Sequence, residues 1–150
     1  MSVALLKPPC STCRSGTTKK PKIVPLTHGN IGHGVQFVAR TLRRQPDDVC
    51  INIMPLFHIH GVIANIMVTL YSGSKVVCPR GFSGGEDFLD KLSDESLGPP
   101  TWYSAVPTMH EAILLAAEDL GAKGPWVHHL TMLRNCSAAL LPPELPLVQL

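Results

Sequence analysis

Residues 102–120 read WYSAVPTMHEAILLAAEDL. Trp102 to Val106 is aromatic and β-branched, the composition of a strand. Pro107 then stands where a helix starts, because its missing N–H would have no partner there in any case. Met109, Ile113, Leu114 and Ala117 continue at helical spacing. Leu130 to Leu133 predicts another short strand. A strand, a helix and a strand in this order predict a crossover between parallel strands.

The same alternation runs back toward the N-terminus. Glu86 to Leu92 carries Phe88, Leu89 and Leu92 on one helical face. Lys75 to Cys78 predicts a short strand. Val62 to Leu70 predicts a buried helix that stops near Gly73, and Cys50 to Met54 a buried strand closed by Pro55. Gln45 to Asp48 is a turn. Ile31, Val35, Val38, Ala39 and Leu42 recur with helical period, and Thr27 suits the N-cap before them. Ile23 to Leu26 and Val3 to Leu6 predict strands, with Ser11 to Lys22 as the loop between. The expected fold class is α/β, with largely parallel strands.

A length of 150 residues predicts one domain. The hydrophobic share is 45% against 16% charged, and the mean hydropathy is +0.16. That is apolar for a domain of this size, which needs polar cover for its large relative surface. A slice of a larger core and an ordinary apolar domain both fit. A net charge of +2 is too mild for a nucleic-acid or anionic-membrane partner. Five cysteines and no secretory leader after Met1 predict reduced thiols in an intracellular compartment. The longest apolar run, Gly61 to Tyr71, is broken by Asn65 and falls well short of the ~20 residues of a membrane span.

Three short patterns carry candidate chemistry. Ser15 to Lys22 reads SGTTKKPK, with a glycine, three hydroxyls and three lysines. Backbone N–H groups and hydroxyls donate to phosphate oxygens, and lysine adds compact positive charge. The common GxxxxGK[ST] loop is absent, and by residue chemistry alone a solvated basic loop competes. His58 and His60, two apart in an extended segment, would share one face. They read either as half a metal site or as two polar core histidines. Cys10-x2-Cys13 and His28-x4-His33 have the loose spacing of a zinc module, but Pro21 and Pro25 interrupt the segment between them.

The loop Ser15-Gly16-Thr17-Thr18, followed by Pro21-Lys22 and by Leu26-Thr27-His28 and Asn30, resembles the AMP-binding signature of the adenylate-forming ligases. Pro55-Leu56-Phe57-His58-Ile59-His60-Gly61 is similar to that family's second core motif. Trp102 to Thr108 resembles its strand-to-helix turn before the acyl pocket, and Leu133 to Leu140 with Pro142 resembles the strand and loop that enter that pocket. Order and spacing match across nearly the whole chain. PLFHIHG, TWYSAVPT and CSAAL together look most like the oxalyl-CoA synthetase branch, which resembles 4-coumarate ligases and often sits in peroxisomes. The resemblance thus implies a cytoplasmic or peroxisomal place. A wider medium-chain or aryl acyl-CoA synthetase reading stays open beside it. Arg14, Lys19 and Ile23 depart from the small residues that the family prefers, where close backbone approach is a use of glycine.

The resemblance implies part of an N-terminal AMP-binding domain over residues 1–150, without the family's later motifs or its C-terminal lid. It implies a two-step reaction with ATP, Mg²⁺ and CoA. A carboxylate such as oxalate attacks the α-phosphate to give acyl-AMP and pyrophosphate, and the CoA thiol then displaces AMP. Ser15, Gly16, Thr17, Thr18 and Lys22 would hold phosphates, helped by Lys20. His58 would orient the acyl group, His60 would sit deeper, and Ser137 and Ala138 would floor the pocket. No metal ligands are assigned. The expected partners are ATP, a carboxylic acid and the remainder of the domain, and the chain alone is expected to be inactive. A non-catalytic relic that binds nucleotide or protein, and the zinc module, are the alternatives.

Overall fold

The computed structural model describes residues 10–14, 22–94, 96, 98–121 and 128–139. Strands β1 (Cys10–Arg14) and β2 (Lys22–Leu26) form an antiparallel hairpin with Cys10 opposite Leu26 and Arg14 opposite Lys22. The stretch Ser11–Arg14 is therefore strand, where the small polar residues predict loop; pairing with the apolar Ile23–Leu26 run overrides local propensity. The expected strand at Val3–Leu6 lies outside the described residues.

Four further strands make one parallel sheet in the order β4-β3-β5-β6. They are β3 (Val49–Ile51), β4 (Lys75–Val77), β5 (Trp102–Ala105) and β6 (Met132–Asn135). Every residue of β3 and β5 is buried, as central parallel strands covered on both faces must be. Strand β6 begins two residues later than its apolar run suggests, and so takes in Arg134 and Asn135.

Helices cover both faces. On one side α3 (Gly85–Leu92) and α4 (Pro107–Gly121) pack Phe88, Leu89, Leu92, Ile113, Ala116 and Ala117 against Ile51, Ile53, Tyr103 and Ala105. The two helices touch at Gly85. A Cβ there would lie 2.2 Å from the Ala112 carbonyl oxygen and 2.7 Å from the Ala116 methyl, so only glycine fits.

On the other side α1 (His28–Thr41) packs Val35 and Ala39 against Val68, the first residue of α2 (Val68–Tyr71). Thr27 caps α1 as expected. Its hydroxyl accepts from the Asn30 N–H at 3.1 Å, and the Asn30 side-chain oxygen accepts from the Thr27 N–H at 3.1 Å. This is a reciprocal box that satisfies two end donors.

The helix expected over Val62–Leu70 is more unusual than its apolar pattern predicts. Residues His60–Met67 form a π-helix that runs into α2. Such segments are rare and occur often at functional sites. The segment is also less buried than expected. Asn65, Val68 and Thr69 are fully covered, whereas Leu70 and Tyr71 are more than half exposed. Gly73, with φ +74°, ends α2 in the left-handed region that glycine tolerates.

Candidate active site

The sheet order places β4 on one side of β3 and β5 on the other, although both follow β3 in the chain. The carboxyl ends of β3 and β5 thus flank a switch in winding direction, the position where open α/β sheets bind ligands. The segment after β3 delivers His58 and His60 here. The segment after β6 delivers Cys136, Ser137 and Ala138.

The two histidines do not share a face of an extended strand. The chain turns at Pro55, where the His58 N–H donates to the Pro55 carbonyl at 3.1 Å. His60 already belongs to the π-helix. Its N–H donates to Nδ1 of His58 at 3.1 Å, and the rings meet edge to face at 6.4 Å between centroids. His58 is exposed, beside a Phe57 that is 92% exposed, whereas His60 is only 6% exposed. Gly61 makes this turn possible. A Cβ at that position would stand 2.5 Å from the Pro55 carbonyl oxygen and 2.9 Å from that of Met54.

His60 is the hub of a buried polar cluster. Its Nε2 lies 2.8 Å from Ser104 Oγ on β5, and its Nδ1 lies 2.7 Å from Cys136 Sγ. The arrangement that uses every proton has Ser104 Oγ–H donating to Nε2, Nδ1–H donating to the sulfur, and the thiol donating to the Ala105 carbonyl at 3.5 Å. Arg134 Nη1 donates to the same serine oxygen at 3.2 Å. Ser104 and Arg134 are cross-strand partners in the parallel register, which puts both on the face toward the π-helix. Below them, the Asn65 amide donates to Asn52 Oδ1 at 2.8 Å and to the Ser104 carbonyl at 3.4 Å. Burial lowers the His60 pKa to about 4, aided by the positive charge of Arg134 and by His58 and His110. The imidazole is therefore neutral near pH 7.

Ser137 and Ala138 stand exposed at the rim of this cluster, in the turn after β6, rather than on a buried floor. Ser137 takes a left-handed φ of +75°, and the Asn135 amide donates to the Ala138 carbonyl at 2.7 Å. Ser15, Gly16, Thr17, Thr18 and Lys20 lie outside the described residues. Lys22 opens β2. The structure thus brings together His58, His60 and the turn at Ser137, and it adds Ser104, Arg134 and Cys136, to which the sequence reading assigned no role. A signal for two of these was present. Arg134 and Cys136 stand two apart around the end of a strand, so they fall on one face, and an arginine in an apolar run is unusual. Among the described residues no group of three or more His, Cys, Asp or Glu could hold a metal ion.

The profile of the family described as AMP-binding enzyme matches residues 15–147. This chain belongs to the AMP-binding enzyme family. It is 38% identical over 130 residues to a probable CoA ligase, CCL9, of Humulus lupulus, covering 85% of this chain and 24% of that protein. It is 36% identical over 132 residues to an oxalate–CoA ligase of Arabidopsis thaliana, with coverage of 85% and 24%. Among solved structures, ATP-bound MatB from Rhodopseudomonas palustris superposes with a TM-score of 0.74 at 26% identity, covering 91% of this chain and 25% of that one. The chain thus spans about a quarter of the length of these AMP-binding relatives. The fold is α/β with a parallel sheet, a partial version of the N-terminal domain of adenylate-forming enzymes.

Proposed function

We propose that this chain forms the phosphate-loop and acyl-pocket portion of an ATP-dependent acid–CoA ligase whose acid is a short carboxylate such as oxalate. The observation that carries this reading is the meeting of His58, His60 and the turn at Ser137 at the carboxyl ends of parallel strands. In a member of the AMP-binding enzyme family, that is where a carboxylic acid would lie. The acid's carboxylate attacks the α-phosphate of ATP, forming acyl-AMP and releasing pyrophosphate; the CoA thiol then attacks the acyl carbon and AMP leaves. Ser15, Gly16, Thr17, Thr18, Lys20 and Lys22 supply donors and positive charge to the phosphates. Exposed His58 orients the acyl group at the mouth, and buried His60 supports it from beneath. Such catalysis is mostly positioning and neutralisation of phosphate charge.

These residues are about a quarter of the length of the ligases they match. Holding phosphate alone does not select a transition state. The 150-residue chain is therefore expected to bind ATP weakly and to show no ATP–pyrophosphate exchange with oxalate or with a panel of fatty and aryl acids. Titration of ATP into the chain and into a Thr17→Ala, Thr18→Ala double variant tests the reading. A clear loss of affinity in the variant supports it. Equal affinity would reduce the segment to a solvated basic loop and sink the phosphate-binding role.

A further inference from the structure

Cys136 is a nucleophilic side chain to which the proposed reaction gives no task. It is a free cysteine, partly exposed, in the turn that follows β6. That turn is tied down, because the Asn135 amide donates to the Ala138 carbonyl at 2.7 Å. The thiol itself donates to the Ala105 carbonyl at 3.5 Å. The sulfur therefore sits at a fixed place at the carboxyl end of the sheet, within reach of solvent.

A directional series of hydrogen bonds ends on this sulfur. The Arg134 guanidinium donates to Ser104 Oγ at 3.2 Å, the Ser104 hydroxyl to Nε2 of His60 at 2.8 Å, and Nδ1–H of His60 to Cys136 Sγ at 2.7 Å. The Ser137 hydroxyl adds a longer contact to the same sulfur at 3.8 Å. Donors in series polarise one another, and the first member here is a permanent cation. The series holds an arginine, a serine, a histidine and a cysteine, so no carboxylate opposes the polarisation. Burial keeps the imidazole neutral near pH 7, and it meets the sulfur as an N–H donor.

Reactive cysteines sit in electropositive, partly exposed surroundings, and oxidant-sensitive ones follow the same pattern. We infer that Cys136, paired with His60, is a modification site, a thiol that hydrogen peroxide oxidises to a sulfenic acid. Sγ gives its proton to water and attacks one peroxide oxygen. The S–O bond forms as the O–O bond breaks. Sulfur loses two electrons, the peroxide takes them, and the departing hydroxide recovers a proton to leave as water. The donors gathered at the sulfur, Nδ1–H of His60 and the Ser137 hydroxyl, stabilise the charge that builds on the departing oxygen. The step uses neither ATP nor a carboxylic acid, so it stands independently of the ligase reading.

The full chain is treated with hydrogen peroxide in the presence of dimedone, which captures sulfenic acids, and each cysteine is followed by peptide mass spectrometry. Exposed Cys78 is the reference. Cys50 reports folding through its resistance to iodoacetamide, because it is fully buried and its thiol is pushed up to about 12 by burial. Cys136 is expected to form the dimedone adduct about tenfold faster than Cys78, the effect of one hydrogen bond to a charged group. In urea the two rates should become alike, since the series of donors exists only in the folded chain. His60→Leu should bring Cys136 down to the rate of Cys78 with Cys50 still unlabelled, and His60→Gln, which keeps an N–H, should retain part of the acceleration. The assignment is overturned if Cys136 of the folded parent chain reacts no faster than Cys78, if it forms no adduct, or if folded His60→Leu reacts like the parent. Where His60→Leu exposes Cys50, the parent chain decides alone, and a rate ratio that urea leaves unchanged overturns the assignment.

Discussion

A histidine that is 6% exposed resists protonation, because burial strips water from the charged form and the Arg134 guanidinium repels it. Its pKa in the folded chain is about 4, against an ordinary value of 6.5. Between those two values the unfolded chain binds more protons at this site than the folded one, so stability rises with pH there. The contribution is complete above about pH 6.5 and is lost as pH falls toward 4. A shift of this size is worth on the order of 3 kcal/mol. Urea unfolding at pH 7 and pH 5 checks it. The parent chain should lose stability at pH 5 by clearly more than a His60→Gln variant; equal losses would show that other groups carry the acid sensitivity. Sequence reading placed both histidines at the site but not this linkage. The partners of His60 are 44 and 76 residues away in the chain, and no local pattern records such contacts.

At the scale of elements, helix packing is set by small residues. Gly85 brings α3 to within van der Waals reach of the α4 backbone, and the obstacle to any side chain is a carbonyl oxygen that cannot swing aside. Gly85→Ala should cost about 1–3 kcal/mol, as overpacking does. Gly121→Ala, at the end of α4 with nothing within 4 Å of its added methyl among the described residues, should change stability by less than ~0.5 kcal/mol. Denaturant midpoints of the two variants decide this, and a neutral Gly85→Ala would mean that the helices can move apart freely. Most elements were legible from periodicity. The buried face of α3, the Thr27 cap and the Pro107 start all follow from local rules. The hairpin strand at Cys10–Arg14 and the π-helix were not. A strand of small polar residues forms because its partner is apolar and adjacent, and the π-helix follows a turn in which Gly61 lies against the Met54 and Pro55 carbonyls. Both rest on contacts between chain segments rather than on composition.

The molecule as a whole exposes more large apolar side chains than a self-sufficient domain needs. Phe37 on α1 and Leu70 and Tyr71 on α2 stand out from helices that pack together, and Leu56, Phe57 and Ile59 stand out beside the site. Strands β4 and β6 are the edges of the parallel sheet as described. Exposed apolar surface and open edges both favour association. The chain expressed by itself should therefore self-associate at micromolar concentration and bind hydrophobic dyes. Light scattering after gel filtration measures this. A monodisperse monomer with a sharp, reversible thermal transition would contradict it.

Gly61 has an effect on timing as well as on shape. The loop from Pro55 to His60 is closed by the His58 to Pro55 bond, by the His60 to His58 bond, and by the backbone of residue 61 lying against two carbonyls. None of these ties involves a ligand. The ordering of that loop thus takes place during folding, and a ligand arriving there would meet histidines whose spacing is already set. Its encounter resembles entry into a fitted socket, with little rearrangement left to slow the first contact.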